Sequence, residues 1–189
     1  MLEPPYALNR ALVAEAVTWA AELHGDQRRE ADHAAFILHP LEVAALLNGR
    51  GYDDEVVAAG VLHDSVENTD ATVEDVRARF GDRCAAIVAA VSEDPAIEDY
   101  TARKAALRAA AFAGGPDVRA VYAADKVAKA RELRAQAARD PAVLRDPQVA
   151  RKLEHYDESL AMLRRAGGHP MVDQLAFELW ALRTFPPAE

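Results

Sequence analysis

The sequence predicts an all-α protein that folds as one helical domain over residues 1–189. Three observations predict this fold class. Apolar residues recur at helical spacing along most of the chain, without the strict alternation that is typical of strands. Glycine, proline and aspartate stand between the periodic segments, where they begin or end helices. The length of 189 residues suits one domain with its own core, and the chain contains no repeat or linker.

Capping residues and helix breakers set the predicted boundaries. Pro40 suits the first turn of the second helix, because the N–H that proline lacks has no partner there. Asp53 or Asp54 is an N-cap for the third helix, and Thr72 and Asp75 have the spacing of a capping box. Residues 25–35 are charged and form a loop. A bundle of about eight to ten helices is expected, covering residues 7–24, 39–48, 54–69, 72–80, 82–91, 97–113, 117–139, 148–166 and 172–185.

Composition and charge exclude several classes of protein. A formal net charge of −9 argues against general binding of nucleic acid, although it leaves room for a small anionic substrate at a local cationic site. Cys84 is the single cysteine, so no disulfide forms within the chain, and its apolar helical surroundings predict a buried side chain. The chain shows no secretory signal and no apolar run near the roughly 20 residues that span a bilayer. A cytoplasmic protein without a membrane partner is therefore expected.

The segment around His63 holds the first cluster of chemically active side chains. On a helix, His63 and Glu67 lie four residues apart on one face, and Asp64 lies beside Glu67 and Asn68. The other side of this helix is apolar. Such a cluster is costly to bury without a compensating partner. A divalent metal is the partner that imidazole and carboxylate groups favour.

Two further residues complete a candidate ligand set. His39 stands at the start of the second helix, and Asp125 occupies a core position on the long helix 117–139. An isolated aspartate at such a position would become neutral, whereas a metal would keep it ionised. Together with His63 and Asp64, these residues offer two imidazoles and two carboxylates. This set favours Mn²⁺ or Fe²⁺ over a closed structural zinc site, while Zn²⁺ or another divalent metal stays an alternative.

Five segments together resemble a known family. They are similar, in order and spacing, to the hydrolase domain of the Rel/Spo alarmone enzymes within the HD superfamily of metal-dependent phosphohydrolases. The stand-alone small alarmone hydrolases are the nearest type, because no synthetase domain is present. The segments are His24-Gly-Asp-Gln27-Arg28-Arg29, Phe36-Ile-Leu-His39-Pro40, Ala59-Gly-Val-Leu-His63-Asp64-Ser-Val-Glu67-Asn68-Thr69, Phe80-Gly81 and Ala124-Asp125-Lys126.

The resemblance implies a single HD hydrolase domain that removes the 3′-pyrophosphate of guanosine tetra- or pentaphosphate with Mn²⁺. It implies that His39, His63, Asp64 and Asp125 bind the metal. Glu67 and Asn68 would be catalytic, acting on the attacking water. The substrate-binding residues would be Arg28 and Arg29 at the base, Tyr156 near the sugar, and Lys126 and Lys129 near the phosphates.

Two departures from the family lie at the site itself. The family has Glu-Asp where this chain has Glu67-Asn68, and an amide cannot accept a proton from water. Four residues after Asp125, the family has asparagine and this chain has Lys129, which adds a cation on the same helical face. These changes leave two alternatives to alarmone hydrolysis. One is a nucleotidase or other phosphomonoesterase with an altered substrate, and the other is a catalytically weak, metal-containing nucleotide sensor.

Simpler structural roles compete with some of these assignments. Arg28 and Arg29 also fit a solvated loop, and Lys126 and Lys129 also fit surface pairs with Glu132. An imidazolium at His24 would favour the end of the first helix through the helix dipole. No motif includes the other histidines, which we expect to be solvated; they are His33, His155 and His169.

The expected partner is a small phosphorylated nucleotide, with no nucleic acid and no membrane. The apolar C-terminal helix packs either in the core or against a second copy of the chain, so a homodimer is left open. Its apolar residues are Leu175, Phe177, Leu179 and Trp180.

Overall fold

A computed structural model of the chain describes residues 4–168 and 171–184, and these residues form an all-α fold, as predicted. His169 and the end of the last predicted helix, residue 185, lie outside the described residues. The α-helices in the described part are α1 (Ala11–His24), α2 (Leu38–Asn48), α3 (Asp54–Leu62), α4 (Ser65–Asn68), α5 (Val73–Val91), α6 (Tyr100–Ala113), α7 (Gly115–Arg139), α8 (Pro147–Arg165) and α9 (Val172–Thr184). Short 3-10 helices cover Pro5–Ala7 and Pro141–Arg145.

The capping residues identified in the sequence occupy the expected positions. The Asp53 side chain accepts a hydrogen bond from the backbone N–H of Val56 at the start of α3. Thr72 and Asp75 form a reciprocal capping box at the start of α5. The helices predicted over 72–80 and 82–91 join into α5, with a kink at Gly81, where φ is 86°. Glycine suits this position because a side chain rarely adopts positive φ.

The core forms around α3, which packs against α1, α2, α5 and α7. Every residue of the stretch Val56–Leu62 is buried, so α3 is enclosed on all sides. Cys84 is fully buried on α5, as predicted. None of the described helices is long and apolar enough to cross a membrane.

Gly60 allows α2 and α3 to approach each other closely. A Cβ atom on Gly60 would lie 2.4 Å from Cδ1 of Leu47 and 3.6 Å from Cα of Ala44, both on α2. A side chain at this position would therefore require either the Leu47 side chain or α2 to shift. This close approach matters for the site, because His39 lies in the first turn of α2 and His63 follows the last residue of α3.

A second layer is formed by α6, α8 and α9, which contact one another or α7. Leu175 and Leu179 of α9 are buried, whereas the Phe177 and Trp180 side chains are exposed, with their ring centroids 5.8 Å apart. The long helix α7 is shared by both layers. Asp125 lies near its midpoint, where almost every residue from Val118 to Ala130 is buried.

Candidate metal centre and adjoining cavity

The His63–Asp64 pair lies in a turn, which corrects the expectation of one continuous helix through this segment. α3 ends at Leu62, and the short helix α4 begins at Ser65. On a regular helix, neighbouring side chains point about 100° apart, since 3.6 residues complete a turn. His63 and Asp64 both keep right-handed helical backbone angles, and their side chains nevertheless approach each other, with His63 Nε2 3.3 Å from Asp64 Oδ1.

Four buried side chains from three parts of the chain converge at this turn. His39 Nε2 lies 3.3 Å from His63 Nε2 and 3.1 Å from Asp125 Oδ1. Asp64 Oδ2 lies 3.4 Å from His39 Nε2, and His63 Nε2 lies 3.5 Å from Asp125 Oδ1. All four residues are at most 6% exposed. The structure therefore brings together the four residues that the sequence predicts as ligands.

The chemistry of these donors fits a divalent metal. His63 Nδ1 lies 2.9 Å from the carbonyl oxygen of Gly60, so the Nδ1 proton is donated there and the Nε2 lone pair faces the cluster. One ligand atom each from His39, His63 and Asp125 lies within 4.8 Å of the others. Imidazole and carboxylate groups are common ligands for divalent transition metals. His39, His63 and Asp125 thus form a candidate site for a divalent metal, with Asp64 beside them.

Both carboxylates of the cluster are held ionised. Burial acts to raise the pKa of Asp64, but the charges of His63, Lys129 and His39 lower it to about 2. Burial is likewise outweighed at Asp125, where Lys126 and Lys129 hold the pKa well below its usual range. The site is therefore ready to bind a cation without first losing a proton from either carboxyl group.

The two lysines contact opposite oxygens of one carboxylate. Lys126 Nζ lies 2.7 Å from Asp125 Oδ2, and Lys129 Nζ lies 2.9 Å from Asp125 Oδ1. Lys129 also lies 3.9 Å from Asp64 Oδ1. The alternative, in which these lysines pair with Glu132 on an exposed face, is wrong for Lys126, which is only 3% exposed.

Glu67 and Asn68 lie on α4, next to the cluster. The Glu67 carboxylate accepts a hydrogen bond from the backbone N–H of Glu93. Desolvation and the charge of Asp64 raise the pKa of Glu67, which brings it closer to the pKa of a general base. The Asn68 side chain lines the cavity described next, while its backbone carbonyl accepts from Gln27 Nε2 at 2.8 Å.

A cavity of about 660 Å³ opens beside the cluster, and its lining is cationic. Among the described residues that line it, six are basic and three are acidic, although the chain as a whole has a net charge of −9. A cavity of this sign attracts small anions. All five predicted substrate-binding residues line this cavity: Arg28, Arg29, Lys126, Lys129 and Tyr156.

These lining residues differ in how firmly they are held. The Arg29 guanidinium pairs with Asp32 and lies 3.9 Å from Glu132. The Arg28 side chain is exposed and donates to the carbonyl of Gln27. Tyr156 is 6% exposed, and burial raises the pKa of its hydroxyl to about 12. Arg28 thus makes fewer internal contacts than Arg29, and Tyr156 forms a buried, neutral part of the cavity wall.

The sequence interpretation missed part of the cavity wall. Tyr100, Lys104, Lys152 and His155 also line it. The expectation that His155 is solvated is wrong, because the residue is 3% exposed. One signal was available in the sequence: Lys152 lies four residues before Tyr156 on α8, so both share a helical face. His33, in contrast, is exposed as expected.

The expectation of a charged His24 at the end of α1 is also wrong. His24 is 2% exposed, and desolvation lowers its pKa, which favours the neutral imidazole. Its Nδ1 lies 3.0 Å from Gln27 Oε1, and Gln27 in turn donates to the carbonyl of Asn68. His24 therefore supports the position of α4 through Gln27.

Comparisons with known proteins agree with this geometry. The sequence model of the HD domain family matches residues 16–154. The guanosine-3′,5′-bis(diphosphate) 3′-pyrophosphohydrolase MESH1 of Xenopus tropicalis is 34% identical over 129 residues, which cover 67% of this chain and 72% of that protein. The guanosine-3′,5′-bis(diphosphate) 3′-pyrophosphohydrolase of Aquifex aeolicus is 39% identical over 88 residues, or 47% of this chain. The chain spans only 12% of the length of that bacterial relative.

A solved structure has the same fold. It is described as a metazoan ortholog of SpoT that hydrolyzes ppGpp and plays a role in starvation responses. It is 25% identical, with a TM-score of 0.79 over 97% of this chain and 98% of that one. The family match and the shared fold therefore agree with each other. The chain belongs to the HD domain family.

Proposed function

We propose that this protein is a metal-dependent phosphohydrolase that removes the 3′-pyrophosphate of guanosine 3′,5′-bis(diphosphate) or a closely related nucleotide. The observation that carries the proposal is the position of the His39, His63, Asp64 and Asp125 cluster beside a cationic cavity. The relatives whose names include this activity and the similar solved structure support the choice of substrate. Within this proposal, residues 1–189 act as one hydrolase domain.

The cluster would hold the metal through His39, His63, Asp64 and Asp125. A bound divalent metal supplies Lewis acidity toward water and toward a phosphoryl oxygen. The donor set is compatible with Mn²⁺, and Fe²⁺ and Zn²⁺ stay alternatives that metal analysis of the purified protein distinguishes.

The side chains around the cluster provide the remaining chemistry. Glu67, whose pKa is raised, would accept a proton from the attacking water, and the Asn68 amide would orient that water by hydrogen bonding. Lys126 and Lys129 would offset the charge that grows on the phosphate oxygens.

The far parts of the nucleotide would contact the loop 25–35 and α8. Arg28, which makes few internal contacts, would be available to the base, while Arg29 shapes the loop through Asp32. Tyr156 would pack against the sugar.

A direct assay tests the proposal. Protein reconstituted with Mn²⁺ is incubated with guanosine 3′,5′-bis(diphosphate), and pyrophosphate is resolved from orthophosphate. We expect pyrophosphate release that disappears in an Asp64→Ala variant. Orthophosphate as the product would instead support a phosphomonoesterase.

One structural observation favours a second candidate, a nucleotide sensor with weak turnover. Lys129 pairs with two carboxylates of the proposed ligand set, and Asn68 offers no basic group. If metal-loaded protein binds the nucleotide but releases neither product, the sensor is the better description. The double variant Asn68→Asp, Lys129→Asn should then gain activity.

The proposal places the enzyme in the cytoplasm, where its nucleotide substrate is found, without a nucleic-acid or membrane partner. A homodimer through α9 stays the alternative to a monomer, and the exposed Phe177 side chain supports it. Light scattering on the eluting protein measures the mass directly. A Phe177→Ser variant that shifts a dimer to the monomer mass would assign the interface to this helix.

A further inference from the structure

His155 is a buried histidine that the proposed chemistry does not use. It lies on α8 and is 3% exposed. Its side chain lines the large cavity and also a small adjoining cleft of about 90 Å³ between α6 and α8. Its Nε2 atom is buried and has no hydrogen-bond partner among the described residues. A buried polar atom without a partner calls for an explanation, and the two cavities that His155 lines are where a ligand would meet it.

Arg108 fixes which nitrogen of His155 carries the proton. Arg108 Nη1 lies 2.7 Å from His155 Nδ1, and the same guanidinium is held by Glu158 at 2.7 Å. A guanidinium can only donate hydrogen bonds, so Nδ1 must be the acceptor. The proton of the neutral ring is therefore on Nε2, the nitrogen without a partner.

The charges around His155 keep the ring neutral. Burial, together with the positive charges of Lys126, Lys104 and Arg108, lowers the pKa of His155 to about 2, although Asp125 acts in the opposite direction. A second proton is thus excluded near neutral pH. Because the ring neither gains nor loses a proton there, His155 presents a permanent Nε2–H donor.

We propose that His155 is a positioning and specificity-determining residue whose Nε2–H donates a hydrogen bond to a phosphoryl oxygen of the anionic ligand. This inference rests on the proposed function for the identity of that ligand. A phosphoryl oxygen fits because the neighbouring wall residues Lys104 and Lys126 are cationic. A fixed N–H donor binds an oxygen that has a free lone pair, and it disfavours a group that is itself a donor. The lysines therefore attract the phosphoryl group electrostatically, and the hydrogen bond from the neutral imidazole orients it.

Steady-state kinetics with matched variants test this role. In His155→Leu, which removes the donor, we expect KM for guanosine 3′,5′-bis(diphosphate) to rise about tenfold, with kcat changed by less than about threefold, since one hydrogen bond to a charged group is lost. His155→Gln keeps a side-chain N–H and should restore most of the affinity. Glu15→Leu is the control and should match the wild type, because Glu15 is exposed on α1 and does not line the cavity. Circular dichroism verifies that each variant is folded.

A second measurement does not depend on turnover. In metal-free protein with ¹⁵N-labelled histidine, we expect His155 to stay protonated at Nε2 and unprotonated at Nδ1 from pH 5.5 to 8. Addition of inorganic pyrophosphate should shift the Nε2–H signal in the wild type and leave it unshifted in Lys104→Met, which lacks one attracting charge.

The outcomes separate this inference from the proposed function. A wild type that turns the nucleotide over, with KM unchanged in His155→Leu, would overturn the role of His155 and leave the function intact. A wild type without turnover, whose Nε2–H signal still shifts with pyrophosphate, would overturn the function and keep His155 as a phosphate donor. Protonation of His155 at Nδ1, or a wild-type Nε2–H signal that does not shift when pyrophosphate is added, would contradict the inference.

Discussion

Lys129 Nζ lies 2.9 Å from Asp125 Oδ1, the same carboxylate oxygen that faces the Nε2 atoms of His39 and His63. A fixed ammonium group therefore shares an oxygen with the candidate metal ligands. Although burial acts to lower the pKa of Lys129, the charges of Asp125 and Asp64 raise it well above its usual value, so the lysine stays charged. The ammonium group of Lys129 therefore competes with a metal for the Asp125 carboxylate.

Lys129→Met should tighten the binding of Mn²⁺. The substitution removes a positive charge that competes for the carboxylates, and we expect the dissociation constant to fall about tenfold, equivalent to about 1.4 kcal/mol. Isothermal titration of metal-free protein measures this change. Lys152→Met is the matched control, because Lys152 lines the cavity but shows no contact with Asp125. Unchanged or weaker binding in Lys129→Met would contradict the interpretation.

Asp125→Asn should both abolish metal binding and destabilise the fold. The amide leaves the ammonium of Lys126, which is only 3% exposed, without its anionic partner. Removal of one member of a buried ion pair costs about 3–5 kcal/mol. Urea denaturation in the presence of a chelator measures the free energy of unfolding, and elemental analysis measures retained metal. Asp117→Asn is the control: Asp117 pairs with Arg83 near the surface, and its loss should cost less than about 1 kcal/mol.

Gly60→Ala should separate α2 from α3 and so damage the metal centre. The added methyl group would lie 2.4 Å from Cδ1 of Leu47, whose side chain is fully buried in the core, so the Leu47 side chain or α2 has to shift. Overpacking of this kind costs about 1–3 kcal/mol. Affinity for Mn²⁺ should fall as well, since His39 lies in the first turn of α2 and His63 directly follows the last residue of α3.

A shorter side chain at Leu47 tests whether a clash with Leu47 is the cause of the effect of Gly60→Ala. In a Leu47→Val background, the side chain is shorter, so the added cost of Gly60→Ala should decrease. A double-mutant cycle on unfolding free energies gives this coupling directly. Strictly additive effects would show that the clash with Leu47 is not the cause.

His155 should make the stability of the protein sensitive to acid. Its pKa in the folded state is lowered to about 2, whereas in the unfolded chain it is about 6.5. Below pH 6.5 the unfolded state binds a proton that the folded state does not bind, so the wild type loses stability as the pH falls. The contribution approaches about 1.4 kcal/mol per pH unit.

Comparison with His155→Gln isolates this contribution, because glutamine does not titrate. Between pH 7 and pH 5, the free energy of unfolding of the wild type should fall progressively relative to that of the variant. Urea denaturation of both proteins at pH 5, 6 and 7, in the presence of a chelator, measures the difference. A difference that stays constant over this range would contradict the assignment of a buried neutral imidazole.

Local sequence signals were sufficient for much of the fold. The sequence identified the Thr72–Asp75 capping box and left Asp53 or Asp54 as the cap of α3, and the structure assigns Asp53, because both caps act between residues three apart. The kink at Gly81 follows in the same way from the freedom of glycine at positive φ. The continuity of helix through His63–Asp64 was predicted wrongly, because α3 ends at Leu62 and α4 begins at Ser65, an interruption that apolar periodicity does not reveal.

At the candidate site too, the sequence predicted the residue identities and the packing decided their arrangement. His39, His63, Asp64 and Asp125 could be identified from residue type, order and spacing, since few residue types bind metals and these occur on apolar segments. Their convergence within hydrogen-bonding distances depends on the packing of α2, α3 and α7. The spacing in the sequence placed Lys129 on the same helical face as Asp125, whereas the burial of Lys126 beside Asp125 depends on the tertiary packing.

The sequence by itself determined the helical fold class, the caps and the identity of the candidate ligands, because these depend on interactions between residues close together in the chain. Only the tertiary structure decided that His155 is buried, that Arg108 fixes its tautomer, and that a cationic cavity forms in an acidic protein. These features depend on contacts between α6, α7 and α8. Burial and electrostatic potential are properties of the packed molecule, so they follow from which helices meet rather than from which residues are neighbours in sequence.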